Sequence, residues 1–205
     1  MKKIDQLLEV HRRELLACRR CVHGAGVRPI ISMARDPKVM LVGQAPGKTE
    51  AAGGKPFAGR AGRTLFTWLA SVGIDEPSAR EKMYIAAVTR CFPGSSPSGR
   101  GDRVPSPAER ASCASWLARE REIIRPQLII PVGRLAIDAI LGPQPLDMAI
   151  GREFRLEAET VAVPLPHPSG ASSWIHMKNH HELVEHALAR IGRHWTRIHR
   201  GARAA

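Results

Sequence analysis

Val39-Met40-Leu41-Val42 is an unbroken apolar run that stops at Gly43. It is too short for a helix and shows no polar alternation. It therefore reads as a strand buried on both faces, and such strands belong to parallel sheets covered by helices. The rest of the chain keeps this rhythm. Met83 to Thr89 and Leu128-Ile129-Ile130-Pro131-Val132 read as further strands, and Phe154-Arg155-Leu156 with Val161-Ala162-Val163 as a hairpin or strand pair. Between them run helical stripes: Ile4, Leu7, Leu8, His11 and Leu15; then Leu65, Trp68, Leu69 and Val72, ending before Gly73. Ser106-Pro107-Ala108-Glu109 carries the cap, the proline and the capping-box acid of a helix start, and that helix ends near Pro126. Gly133 to Leu141 reads as a short helix, and Asn179 caps a last one with Val184, Ala187, Leu188, Ile191 and Trp195 on its buried side. The expectation is one α/β domain over residues 1–205, a three-layer α/β/α sandwich around a mostly parallel sheet of about four strands. Its basic end, Arg193 to Ala205, is expected to fray.

In sheets of this kind ligands bind beyond the carboxyl ends of the strands. Two loops fit that position, Gly43-Gln44-Ala45-Pro46-Gly47 after the first strand and His167-Pro168-Ser169-Gly170 after the last. The first is neither GxxxxGK[ST] nor GxGxxG, which argues against a mononucleotide enzyme. Lys and Arg number 31 against 19 Asp and Glu, a net charge of +12, which points toward a nucleic-acid partner. No apolar run is long enough to span a bilayer, and the first residues lack the apolar block of a signal peptide. The expectation is a cytoplasmic protein, monomeric and without a membrane partner. In a reducing compartment its four cysteines, Cys18, Cys21, Cys91 and Cys113, are metal ligands or buried thiols rather than disulfides.

Four blocks in order give the sequence its specificity. They are Cys18-Arg19-Arg20-Cys21; Val42 to Gly47 followed by Gly54-Lys55-Pro56-Phe57-Ala58-Gly59-Arg60-Ala61-Gly62; Tyr84-Ile85 leading to Arg90-Cys91, with Cys113 beyond; and Pro166-His167-Pro168-Ser169. Together they resemble the uracil-DNA glycosylase superfamily, and within it the iron–sulfur branch called family 4. The resemblance implies an enzyme that extrudes a deaminated base from DNA and hydrolyses its N-glycosidic bond in base-excision repair. It implies that Cys18, Cys21, Cys91 and Cys113 hold a 4Fe–4S cluster; the spacing is C-x2-C, then 69 residues to the third cysteine and 21 more to the fourth. It makes Phe57 the ring on which the base stacks and His167 the donor to the base carbonyl as charge builds there. Gly43, Gln44, Ala45 and Ala87 join them around the base, and Gln44 is the candidate for placing water. Ser169, Gly170 and Ser172, with Arg60 and Arg63, are candidates for gripping DNA phosphates. Trp174, Ile175 and Met177 are either an apolar wedge or loop packing.

The sequence also departs from the family. Family 4 members usually carry an acid where Gln44 stands, and family 1 members one where Ala45 stands. Gln44 can orient a water but cannot take its proton as a carboxylate can. The nearest candidate carboxylate is Glu50. The asparagine that usually reads the uracil edge is replaced by Ala86 or Ala87. Losing such a two-way partner weakens discrimination between bases and extends the expected range to xanthine or hypoxanthine. A second expectation is a DNA-binding or damage-trapping protein on the same scaffold, attached through a loop histidine such as His176, His180 or His181.

Overall fold

The computed structural model describes residues 2–21, 26–98, 101–157, 159–169, 173–177 and 179–200. In chain order its elements are α1 (Lys3–Leu16), β1 (Val39–Gly43), α2 (Lys48–Gly53), α3 (Arg60–Ala70), α4 (Glu76–Lys82), β2 (Met83–Ala87), α5 (Pro107–Ile124), β3 (Leu128–Pro131), α6 (Arg134–Leu141), α7 (Leu146–Ala149), β4 (Phe154–Arg155), β5 (Val161–Ala162) and α8 (His180–Arg200), with one 3-10 turn at Ser173–His176.

The strands form one five-stranded sheet in the order β2-β1-β3-β5-β4. Every pairing is parallel except the short β4–β5 hairpin. Side chains alternate across a strand, so each central strand feeds two cores. Val39, Leu41, Ile85, Leu128 and Ile130 pack with Leu65 and Leu69 of α3 and with Val184, Leu188 and Ile191 of α8. Met40, Val42, Tyr84, Ala86 and Ile129 face the other way, onto Leu8 of α1, Leu117 and Ile124 of α5, and Ala136 and Ile140 of α6. Two helix layers enclosing one sheet are the expected sandwich, with five strands rather than about four because both halves of the hairpin join.

Three local differences bear on the site. The glycine-rich stretch after β1 contains α2, whose end is formed by Gly54 at φ 65°. The stretch from Phe92 to Pro105, rich in Gly, Ser and Pro, is braced on either side of residues 99–100, which lie outside the described residues. Ser95 and Asp102 form an antiparallel bridge, and the Arg103 side chain donates to the Pro93 carbonyl and pairs with Glu109 at 2.7 Å. That pairing holds the Glu109 carboxyl down at about 2 while it completes the capping box on Ser106. At the far end, α8 remains helical through Arg193 to Arg200, because Trp195 belongs to the buried stripe; residues 201–205 lie outside the described residues.

Candidate active site

Parallel, in-register strands bring Gly43 of β1, Ala87 of β2 and the end of β3 to one edge of the sheet. Beyond that edge lies a cavity of about 610 Å³, within the range of small-ligand sites. Its walls include Gly43, Gln44, Ala45, Phe57, Ala87, Arg60, His167 and Ser169. Three loops remote in sequence therefore meet in one place. Arg63 sits on the exposed face of α3 and does not line the cavity, and Gly170 and Ser172 lie outside the described residues.

The β1 turn is fixed by its backbone. Val88 N–H donates to the Gly43 carbonyl (2.9 Å) and Thr89 N–H to that of Gln44 (3.2 Å), so β2 holds the turn as it holds the strand. Phe57 adopts φ 50°, a conformation uncommon for a side-chain-bearing residue, and several contacts keep it there. Arg80 of α4 donates to the carbonyls of Pro56 (2.8 Å) and Phe57 (3.2 Å), pairs with Glu76, and lies over the Phe66 ring. The Phe57 ring rests on Gly43, where a Cβ would stand 2.9 Å from the ring. Gly62 leaves room for the Phe57 carbonyl, since a Cβ there would stand 1.9 Å from that oxygen. Gly43 and Gly62 thus help aim the Phe57 ring.

His167 is half-buried, and burial pushes its imidazole below the ordinary histidine value, so the neutral ring is favoured. Ser169 N–H donates to its Nδ1 at 3.2 Å, and Ser169 Oγ is 2.8 Å from the same nitrogen. A nitrogen that accepts from a backbone N–H carries no proton of its own, so the ring proton sits on Nε2. Ser169 therefore sets the tautomer of His167, a role that the sequence did not suggest. Gly133 packs against the same imidazole, with φ 84° and a would-be Cβ 3.2 Å from His167 Cβ.

Two candidates from the sequence take other duties. Glu50 does not offer a free carboxylate. It is buried, and its two oxygens accept from Gly47 N–H (2.9 Å) and Gly59 N–H (3.1 Å), clamping the β1 turn to the Phe57 loop. Trp174 packs rather than protrudes. It stacks on His180 at 3.9 Å and donates to Asp147 of α7 at 2.5 Å, while His180 also engages the Trp174 carbonyl.

The four cysteines line a second cavity of about 250 Å³ between α1, the end of β2 and α5. Burial, and then the nearness of Cys113, Cys18 and Cys21, pushes the Cys91 thiol up to about 12. Among the described residues no three His, Cys, Asp or Glu side chains close on a single-ion site; these cysteines stand around a volume. Thr89 Oγ1, Arg90 Nε and Trp116 Nε1, all from residues lining this wall, are buried without a hydrogen-bond partner. Polar groups left so cost free energy unless something accepts from them. A thiolate-bound, sulfide-bearing group suits both the donor set and these unused donors. Arg90 lines both cavities.

Fold and pocket together define a mostly parallel α/β protein with a small-ligand-sized cavity at the carboxyl edge of its sheet. The chain belongs to the uracil DNA glycosylase superfamily, whose family model matches residues 31–189. It is similar to the type-4 uracil-DNA glycosylase of Archaeoglobus fulgidus, with 34% identity over 142 residues, 68% of this chain and 64% of the relative. The type-4 uracil-DNA glycosylase of Thermotoga maritima is 32% identical over 135 residues, 65% of each chain. That of Sulfurisphaera tokodaii is 26% identical over 195 residues, 90% of this chain and 83% of the relative. The matches to the first two span just under two thirds of those relatives' length. No helix among the described residues is long and apolar enough to cross a membrane.

Proposed function

We propose that this chain is a monomeric DNA glycosylase that extrudes a deaminated nucleotide, seats its base between Phe57 and His167, and hydrolyses the N-glycosidic bond. The observation that carries the reading is the convergence of the Gly43–Gly47 turn, the Phe57 ring and the His167 imidazole on one cavity. Breaking the bond leaves positive charge on the sugar and negative charge on the departing base. The Phe57 face supplies stacking for a base that has lost its neighbours, worth about 1–3 kcal/mol. His167 Nε2–H donates to the base oxygen as charge gathers there. Because the ring is neutral beforehand, it need not shed a proton to keep its Nδ1 contact with Ser169. Gln44 orients water from the turn, and Arg60 on the rim meets phosphate.

Cys18, Cys21, Cys91 and Cys113 are the residues that would hold a 4Fe–4S cluster. Bound there, the cluster would tie α1 to α5 and to the end of β2, supplying structure rather than base chemistry. Uracil is the favoured base. Ala86 and Ala87, both on the cavity wall, offer no side-chain hydrogen bonds to tell uracil from xanthine or hypoxanthine, so a broader range is part of the reading.

The test is an excision panel of oligonucleotides, each holding one deaminated base, run on protein assayed for iron and acid-labile sulfide. The expected result is free uracil with an abasic strand, smaller yields of the other bases, and iron and sulfide in the proportion of one cluster per chain. No base released from any strand, or a protein–DNA band that survives denaturation without turnover, contradicts the reading.

A further inference from the structure

The family's usual motif acid is missing from the β1 turn, and Glu50 is spent on backbone contacts. One other carboxylate lines the cavity. Asp102 comes from the braced hairpin between Cys91 and Cys113, more than fifty residues from the β1 turn. We propose that Asp102 is the catalytic carboxylate of this site: it takes the proton of the attacking water and faces the sugar as positive charge develops. The proposal rests on the glycosylase reading above and assigns the one role that reading leaves unfilled.

The geometry points to it in three ways. Asp102 reaches the β1 turn itself. Its Oδ2 lies 3.4 Å from the Lys48 amide nitrogen and would stand 2.7 Å from a Cβ on Gly47, so the carboxylate lies directly against the turn. Its position is built. The bridge to Ser95, Ser96 N–H to the Gly101 carbonyl (2.9 Å) and Arg103 N–H to the Gly94 carbonyl (2.8 Å) hold the hairpin on both sides. Its carboxylate is also available. The single long contact from Lys48 N–H is its hydrogen bond among the described residues, whereas Glu50 receives two closer ones. Asp102, an exposed residue, lines the same cavity as Gln44, Phe57 and His167, so a water held by Gln44 has a solvent-accessible base on the same cavity wall.

The step balances as follows. The glycosidic C–N bond breaks and its electron pair leaves with the base, whose oxygen receives the hydrogen bond from His167 Nε2–H. The water oxygen bonds to C1′ and its proton passes to the Asp102 carboxylate. The departing base anion later takes up that proton, directly or through solvent, leaving an abasic sugar and a neutral base.

The experiment compares single-turnover uracil release by the holoprotein and its Asp102→Asn, Asp102→Glu and Asp102→Ala forms, with binding to an uncleavable uracil strand measured in parallel. General-base loss predicts that Asp102→Asn slows release by about 10²–10⁴-fold while binding stays within about threefold. Formate added to Asp102→Ala is expected to restore part of the rate, which a merely structural role would not allow. Release by Asp102→Asn at the wild-type rate overturns the assignment and leaves the glycosylase reading standing. Parallel losses of binding and rate, without formate rescue, overturn it in favour of a DNA contact. A wild-type protein that releases no base overturns both readings.

Discussion

Replacing His167 with alanine is expected to slow single-turnover uracil release by about 10²–10³-fold, the usual cost of removing one oxyanion donor. Binding to an uncleavable strand should change far less, because the bond to the base oxygen strengthens only as the glycosidic bond breaks. The structure gives this loss a pH signature. Burial lowers the imidazole's proton affinity in the folded protein. Protonation on Nδ1 would set two donors, the ring N–H and Ser169 N–H, against each other. The sign follows from the direction of the shift. The neutral ring persists above and somewhat below the ordinary histidine value, so the contribution of His167 is intact at neutral pH and falls away on acidification. Wild-type release should therefore drop in acid by more than release by His167→Ala does. Rates for the two proteins that stay parallel from neutral to acid pH would contradict this account.

Replacing Glu120 with alanine is expected to destabilise the fold by about 3–5 kcal/mol, the range for breaking a buried charge pair from one side. Glu120 is fully buried on α5. Its Oε1 accepts from Tyr84 Oη–H (2.9 Å) and lies 3.0 Å from His11 Nε2, and its Oε2 takes the Arg90 guanidinium. One carboxylate thus ties α1, the β2 strand and the segment entering the cysteine cavity. Burial first, and then Arg90, lower His11 to about 4, so the ion pair is Glu120 with Arg90, and His11 donates as a neutral ring. Without Glu120 the buried Arg90 charge has no counterpart, and Tyr84 and His11 lose their acceptor. Urea unfolding should show the midpoint shift at an unchanged slope. A loss below about 1 kcal/mol would mean that the network contributes little. His11 adds a pH dependence of its own. Its folded value lies below its ordinary 6.5, so the stability it represents is present above pH 6.5 and is lost as pH falls toward about 4.

Much of this architecture was legible in local pattern. Val39 to Gly43 announced a buried parallel strand, and Ser106 to Glu109 announced a helix start that the structure reproduces down to both capping-box bonds. The short helices were less visible. Asp75 caps α4 and Pro77 sits in its first turn, a start signal overlooked because so few residues follow it. The polar interior was hidden for a deeper reason. Glu120 shares the helical register of Trp116, Leu117 and Ile124, unlike the exposed Glu122, but its partners are set by α1 and β2, which approach from distant parts of the chain. Glu50 and Asp102 show the same limit. Both carboxylates flank Gly47, one from three residues further along the chain and the other brought by the hairpin, and only their hydrogen bonds separate a clamp from an available base.

The claim on which the rest depends is that the base leaves the helix and enters the cavity between Phe57 and His167. Its most direct test is a crystal structure of the protein with duplex DNA carrying a 2′-fluorinated, uncleavable deoxyuridine. The account predicts the uracil stacked on the Phe57 ring, with a carbonyl oxygen within hydrogen-bond distance of His167 Nε2. A uracil still paired in the duplex, or seated in any other cavity, would contradict it.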